Sequence, residues 1–145
     1  MKTDLAKTRL IGADIIRNPP PNVSTPRYDR GSITPGIVHI GVGNFHRAHQ
    51  ATYLDSLFNA GFDHDWGIIG AGILEKDAQM RKTLLAQDCL STVVELDPMR
   101  YHAFICGSII DYAPVDPAAI IQRLVRPEIR IVTLTITEGG YYMGA

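Results

Sequence analysis

Several things are scarce in this sequence, and each scarcity excludes a class of protein. Cysteine occurs twice in 145 residues, as Cys89 and Cys106, without a C-x-x-C spacing and in apolar surroundings. Two buried free thiols are therefore expected, in place of a disulfide framework or a cysteine-ligated metal. Neither charge sign dominates: 14 Lys and Arg face 15 Asp and Glu, a formal net charge of −1. That balance argues against nucleic acid or an acidic membrane surface as partner. No apolar run approaches the roughly 18 residues of a membrane span. The first residues, Met1 to Lys7, lack the apolar core of a signal peptide, so the cytoplasm is the expected setting. Internal repeats and long low-complexity tracts are missing as well.

What remains is an ordinary globular composition, 46% hydrophobic and 20% charged. The length suits one domain with a substantial core. The chain stops at Ala145, shortly after an apolar run and a Gly-Gly turn. A closed domain usually ends in a capped helix or a polar tail, so the front part of a longer protein is expected.

Residues 1–35 read as a lead-in arm and residues 36–145 as the folded domain. A short amphipathic helix over Leu5–Ile16 is stopped at Asn18 by three prolines, which lack the N–H a helix needs. From Pro19 to Pro35 an extended arm is expected. Gly36–Ile40 reads as a strand covered on both faces, apolar almost throughout. His46–Ala60 reads as a helix with Ala51, Leu54, Leu57 and Phe58 on one side and Gly61 as its left-handed stop. Trp66–Ala71 is a second buried strand. Asp77 is placed to cap a helix to about Gln87, packing through Met80 and Leu84. Leu90–Leu96 and Arg100–Ile110 read as a hairpin across Asp97 and Pro98. Asp116 and Pro117 start a helix expected to bury Ile120, Ile121, Leu124 and Val125. Ile129–Thr137 is the last strand. Strands alternating with crossover helices predict a Rossmann-like α/β domain, a mainly parallel sheet with helices on both faces.

The chemistry concentrates at Gly41-Val42-Gly43, between the first strand and its helix. In a dinucleotide site the first glycine makes the tight turn and the second lets backbone approach the pyrophosphate. A third glycine then allows helix and strand to pack closely, and here His46 stands in its place. Read alone, the turn fits a dinucleotide, another phosphate ligand or a purely structural corner. Arg47 lies in the first helical turn, where it opposes the helix dipole, so either a bound anion or a surface ion pair is expected beside it. His39 alternates with apolar residues and reads as a core histidine. His46 and His49 lack acidic or thiol partners at metal-binding spacing, so no metal site is expected. After the second strand, Glu75 and Asp77 could accept the adenosine ribose hydroxyls, which leans towards NAD. Lys76 between them leaves NADP open. Glu138 lies just past the last strand, where ligands of open sheets gather, and either meets the ligand or completes a turn. Neither a Ser-His-Asp arrangement nor a G-x-x-x-x-G-K loop occurs, and no catalytic set can be assembled.

The wording of four stretches resembles one family in order. They are Ile37 to Gln50, Trp66 to Gly72, Gln87-Asp88, and Thr133 to Tyr141. Together they are similar to the N-terminal part of the polyol-specific long-chain dehydrogenases, which include mannitol 2-dehydrogenase, fructuronate and tagaturonate reductases and arabinitol dehydrogenase. The resemblance implies metal-independent hydride transfer between NAD(H) and a polyol/ketose pair, with D-mannitol and D-fructose as the lead pair. It implies cofactor binding by Ile37, Val38, His39, Ile40, Gly41, Val42, Gly43, Asn44, Phe45, His46, Arg47 and Ala48. It also places ribose discrimination at Lys76 and Asp77. The family's general acid/base is a lysine in a K-x-x-x-x-N-x-x-H arrangement within a helical second domain, and these 145 residues contain no such arrangement. The chain by itself is therefore expected to hold a cofactor without turning over substrate. A uronate reductase and a non-catalytic nucleotide-binding module remain the alternatives.

Overall fold

A computed structural model describes residues 12–136. Most of the expected Leu5–Ile16 helix lies outside that range; its described part is α1, Ala13–Arg17. The arm then runs through a short strand β1 (Val23–Ser24) and a 3-10 turn at Arg30–Ser32. It is tied down by specific bonds. Tyr28 donates to the Asp55 carboxylate at 2.6 Å, and the Arg30 guanidinium donates to the carbonyls of Asp88, Gly107 and Ile109.

The main sheet contains β2 (Pro35–Ile40), β3 (Gly67–Ala71), β6 (Ile109–Tyr112) and β7 (Ile131–Leu134), all parallel, in the order β6-β3-β2-β7. Side chains of a strand point alternately to its two faces, and the core divides accordingly. Ile37 and Ile68 pack with Ala51 and Leu84 on one face, under α3 (Gln50–Asn59) and α4 (Glu75–Ala86). Val38 and Ile69 pack with Ile120 on the other, under α5 (Pro117–Leu124). Each such aliphatic side chain contributes about 1.5–3 kcal/mol when fully buried. The doubly covered parallel sheet is the expected architecture.

Several local expectations need correction. The helix drawn over His46–Ala60 is two: α2 (Asn44–Ala48) and α3, separated at His49, whose φ of −123° and ψ of −88° are not helical. Thr52 Oγ1 donates to the carbonyls of Ala48 and His49 at 3.2 and 2.8 Å, adding side-chain bonds at the break, where the His49 carbonyl also accepts the Tyr53 N–H. The run Arg100–Ile110 also divides, at Gly107-Ser108. Its first part is β5 (Arg100–Cys106), antiparallel to β4 (Ser91–Asp97) in a separate sheet with β1. The Arg30 side chain crosses at Gly107, where an added Cβ would lie 2.9 Å from Arg30 Cδ. Ser108 Oγ turns inward to donate to the Ala51 carbonyl at 2.7 Å. In α5, Ile120 is buried, but Ile121 and Val125 are 58% and 72% exposed, because α5 meets the sheet on a narrow stripe only. Cys89 and Cys106 are free, buried thiols, and burial pushes both up to about 11.

Candidate cofactor site

The strand order decides where a ligand can sit. β2 feeds its crossover towards β3 on one side, while β7 lies on its other side. The two connections diverge and leave a crevice at the carboxyl ends of β2 and β7, the switch point at which open α/β sheets take their ligands. A cleft of about 570 Å³ opens there. Its floor is Ile40, Gly41, Val42 and Gly43; one wall is Ile73, Leu74, Lys76, Asp77 and Met80, and the other is Leu134, Thr135 and Ile136.

The two glycines have different work. Gly41 turns with φ of +93°, the left-handed region, and an added Cβ would lie 3.1 Å from the Thr135 carbonyl. Gly43 has ordinary backbone, but around an added Cβ only the Gly41 carbonyl comes within 4 Å, at 3.9 Å. Gly43 therefore leaves a recess at the cleft floor that any larger residue would fill. α2 starts directly after it, so the turn passes from strand to helix as the expected unit does.

On the opposite wall, α4 begins at Glu75, three residues before a helix capped by Asp77 would start. Asp77 is not the leading cap but the third helical residue, and its carboxylate reaches back to accept the Leu74 N–H at 2.9 Å. Its Cβ is so close to Gly72 that a side chain at 72 would come within 2.3 Å of it. Capping duty thus holds the Asp77 carboxylate at the rim beside exposed Lys76.

The remaining expected residues separate into groups. Ile37 and Val38 belong to the two cores and do not reach the cleft. Phe45 is 68% exposed and meets the His49 ring at 4.5 Å. The Arg47 guanidinium folds back over its own turn, donating to the Gly43 carbonyl at 3.3 Å and to Asn44 Oδ1 at 2.6 Å. Ala48 is exposed at the end of α2. His39 and His46 are buried beside the turn, their rings stacked at 3.5 Å between centroids and 8° between planes. Burial pushes both imidazoles below their ordinary 6.5, His46 to about 3, so both are neutral near pH 7. Glu138 lies outside the described residues. Among those described, no group of three or more His, Cys, Asp or Glu is placed to hold a metal. No helix among them is long and apolar enough to cross a membrane.

Ile73, Leu74, Leu134, Thr135 and Ile136 were not expected at the site. Ile73 and Leu74 did carry a signal, two apolar residues between a buried strand and a polar helix, and both are exposed. Leu134 ends β7, which has no further strand beside it among the described residues, and Ile136 lies two residues past it; no periodicity could reveal that placement.

A four-stranded parallel sheet of order β6-β3-β2-β7, with a glycine turn open at its switch point, defines a Rossmann-type nucleotide-binding domain. Residues 35–143 match the mannitol dehydrogenase Rossmann domain family, and the chain belongs to that family. Mannitol 2-dehydrogenase of Cereibacter sphaeroides is 59% identical over 126 residues, covering 86% of this chain and 26% of that protein. A polyol:NADP oxidoreductase of Gluconobacter oxydans is 43% identical, covering 91% and 28%. Among solved structures, Pseudomonas fluorescens mannitol 2-dehydrogenase, a ternary complex with NAD and D-mannitol, superposes with a TM-score of 0.85 at 43% identity, covering 92% of this chain and 28% of that one. The chain thus spans about a quarter of the length of the relatives it matches.

Proposed function

We propose that this chain is the cofactor-holding part of an NAD-dependent polyol dehydrogenase, acting on a sugar alcohol/ketose pair of the D-mannitol/D-fructose type. The observation that carries the reading is the recess at Gly43, backbone-lined and open at the switch point of the sheet. It fits a pyrophosphate, which needs backbone N–H groups at close range and no Cβ in the way. Ile40, Gly41, Val42 and Gly43 form the phosphate floor, and Asn44 and Arg47 order the turn above it. The apolar wall of Ile73, Leu74 and Met80 suits one face of an adenine ring. Asp77 and Lys76 meet the adenosine ribose, the carboxylate accepting from its hydroxyls and the ammonium tolerating a 2′-phosphate. Glu138, outside the described residues, is assigned to the nicotinamide end or the substrate. The buried free thiols Cys89 and Cys106 support a reducing compartment such as the cytoplasm.

When bound, NAD(H) supplies the hydride acceptor or donor. This chain's residues position it and shield one side of the cleft from water. No group among the described site residues is placed as general acid/base, so proton transfer on the polyol is assigned to a group outside them. Titration with NADH and NADPH by fluorescence and calorimetry checks the reading. Saturable NADH binding is expected, with NADPH weaker by less than tenfold because of Lys76. Absence of binding by either would sink the proposal. Mannitol-dependent NADH production by the 145-residue chain is expected to be undetectable, and steady turnover would show that the proton-transfer group is already here.

A further inference from the structure

We infer that His39 and His46 are positioning residues: their stacked rings clamp the two ends of the Gly41–Gly43 turn and hold it in its cofactor-ready shape. The inference rests on the reading that this turn receives a pyrophosphate. His39 is the last but one residue of β2 and His46 lies in α2, so the stack joins the chain just before the turn to the chain just after it. In the usual fingerprint a third glycine at this position lets helix and strand touch directly. Here two parallel rings fill the interval between them.

The clamp is anchored from below. His39 Nδ1 lies 2.7 Å from Thr133 Oγ1, which donates to Gln50 Oε1 at 3.1 Å. His39 Nε2 lies 3.1 Å from Thr135 Oγ1 and 3.3 Å from the Gly41 carbonyl. The His39 ring is therefore fixed to β7, to α3 through Gln50, and to the turn itself. His46 differs. It is 2% exposed, and neither ring nitrogen makes a full hydrogen bond, although the Gln50 side chain lies close enough to favour its protonated form. A buried imidazole without a full hydrogen bond contributes through shape and stacking, and among the described residues the ring stacked on it is His39. The ring face of His46, not its polarity, is thus what orders the turn.

His46→Gly completes G-x-G-x-x-G in sequence, yet it removes the clamp. NADH binding by His46→Gly and His46→Ala is expected to weaken roughly five- to tenfold, the change to which an aromatic pair converts. His46→Phe keeps a ring of similar shape and is expected to bind within about twofold of the unsubstituted chain. Amide exchange read by mass spectrometry gives a second readout that needs no ligand. In His46→Ala, exchange over 42–46 is expected to quicken while β3 stays protected. If the unsubstituted chain does not bind NADH, the cofactor reading fails and amide exchange alone decides the clamp. Unchanged exchange over the turn in His46→Ala, or NADH binding by His46→Gly as tight as by the unsubstituted chain, overturns the inference. Should His46→Ala fail to fold, Thr133→Val removes the hydroxyl that anchors His39 at nearly constant shape. It is expected to shift both readouts in the same direction, and no change in either overturns the clamp.

Discussion

Gly41 and Gly43 are two residues apart and differ in what a methyl group would do to each. At Gly41 the obstacle is the protein itself, a positive φ together with the Thr135 carbonyl 3.1 Å from an added Cβ. Gly41→Ala is expected to lower stability by about 1–2 kcal/mol, read by urea denaturation. At Gly43 the obstacle would be the ligand, because the space around an added Cβ is open. Gly43→Val should melt within a few degrees of the unsubstituted chain and lose NADH binding, measured by calorimetry on the same sample. If Gly43→Val binds normally, the recess is not the phosphate site. Asp77 combines the two kinds of role, since its carboxylate caps Leu74 from the rim of the cleft. Asp77→Ala should cost about 1 kcal/mol and also narrow the preference for NADH over NADPH. A loss of stability without any change in that ratio would leave Asp77 as a cap only.

At the scale of elements, the helix starts and the chain breaks obey different rules. Asp116 and Pro117 were legible because a cap is local: Asp116 Oδ2 accepts the Ala119 N–H at 2.8 Å, three residues along the same chain. Asp116→Ala should therefore destabilise by about 1 kcal/mol and leave NADH affinity unchanged, since α5 lines no part of the cleft. The break at His49 and the division at Gly107 were not legible, because their causes are distant in sequence. Arg30 sits on Gly107 from 77 residues away, and Ser108 bonds to Ala51 from 57 residues away. The exposure of Ile121 and Val125 belongs with these, for periodicity shows which residues share a helix face but not how much of that face finds a partner.

Over the whole molecule, the stacked histidines give folding a pH dependence of definite sign. The unfolded rings take up protons at their ordinary 6.5, whereas the folded rings resist, His46 down to about 3. Below pH 6.5 the unfolded state binds more protons, so stability is full above that pH and is lost as the pH falls. The slope is at most about 1.4 kcal/mol per pH unit for each ring. Asp55 acts in the opposite sense above its ordinary 3.8, because burial pushes its carboxyl up while three donated hydrogen bonds, from Tyr28, Asn59 and Gly107, hold it back. Comparing the chain with His46→Phe isolates the histidine contribution: between pH 7.5 and 5, urea midpoints should fall more for the unsubstituted chain, and parallel pH slopes would refute the assignment.

The sequence by itself determined the alternation of strands and helices, the glycine turn, the start of α5 and, through its wording, the family. Those features rest on local chemistry: which backbone angles a residue accepts, which orphan N–H groups a side chain can cap, and which spacing puts apolar groups on one face. The tertiary structure alone decided the strand order, and with it the crevice between β2 and β7. It set Ile73, Leu74, Thr135 and Ile136 around that crevice, and it placed His39 against His46. Strand order and ring stacking are matters of which distant segments come to share a surface, and pairwise contacts of that kind leave no periodic trace along a chain.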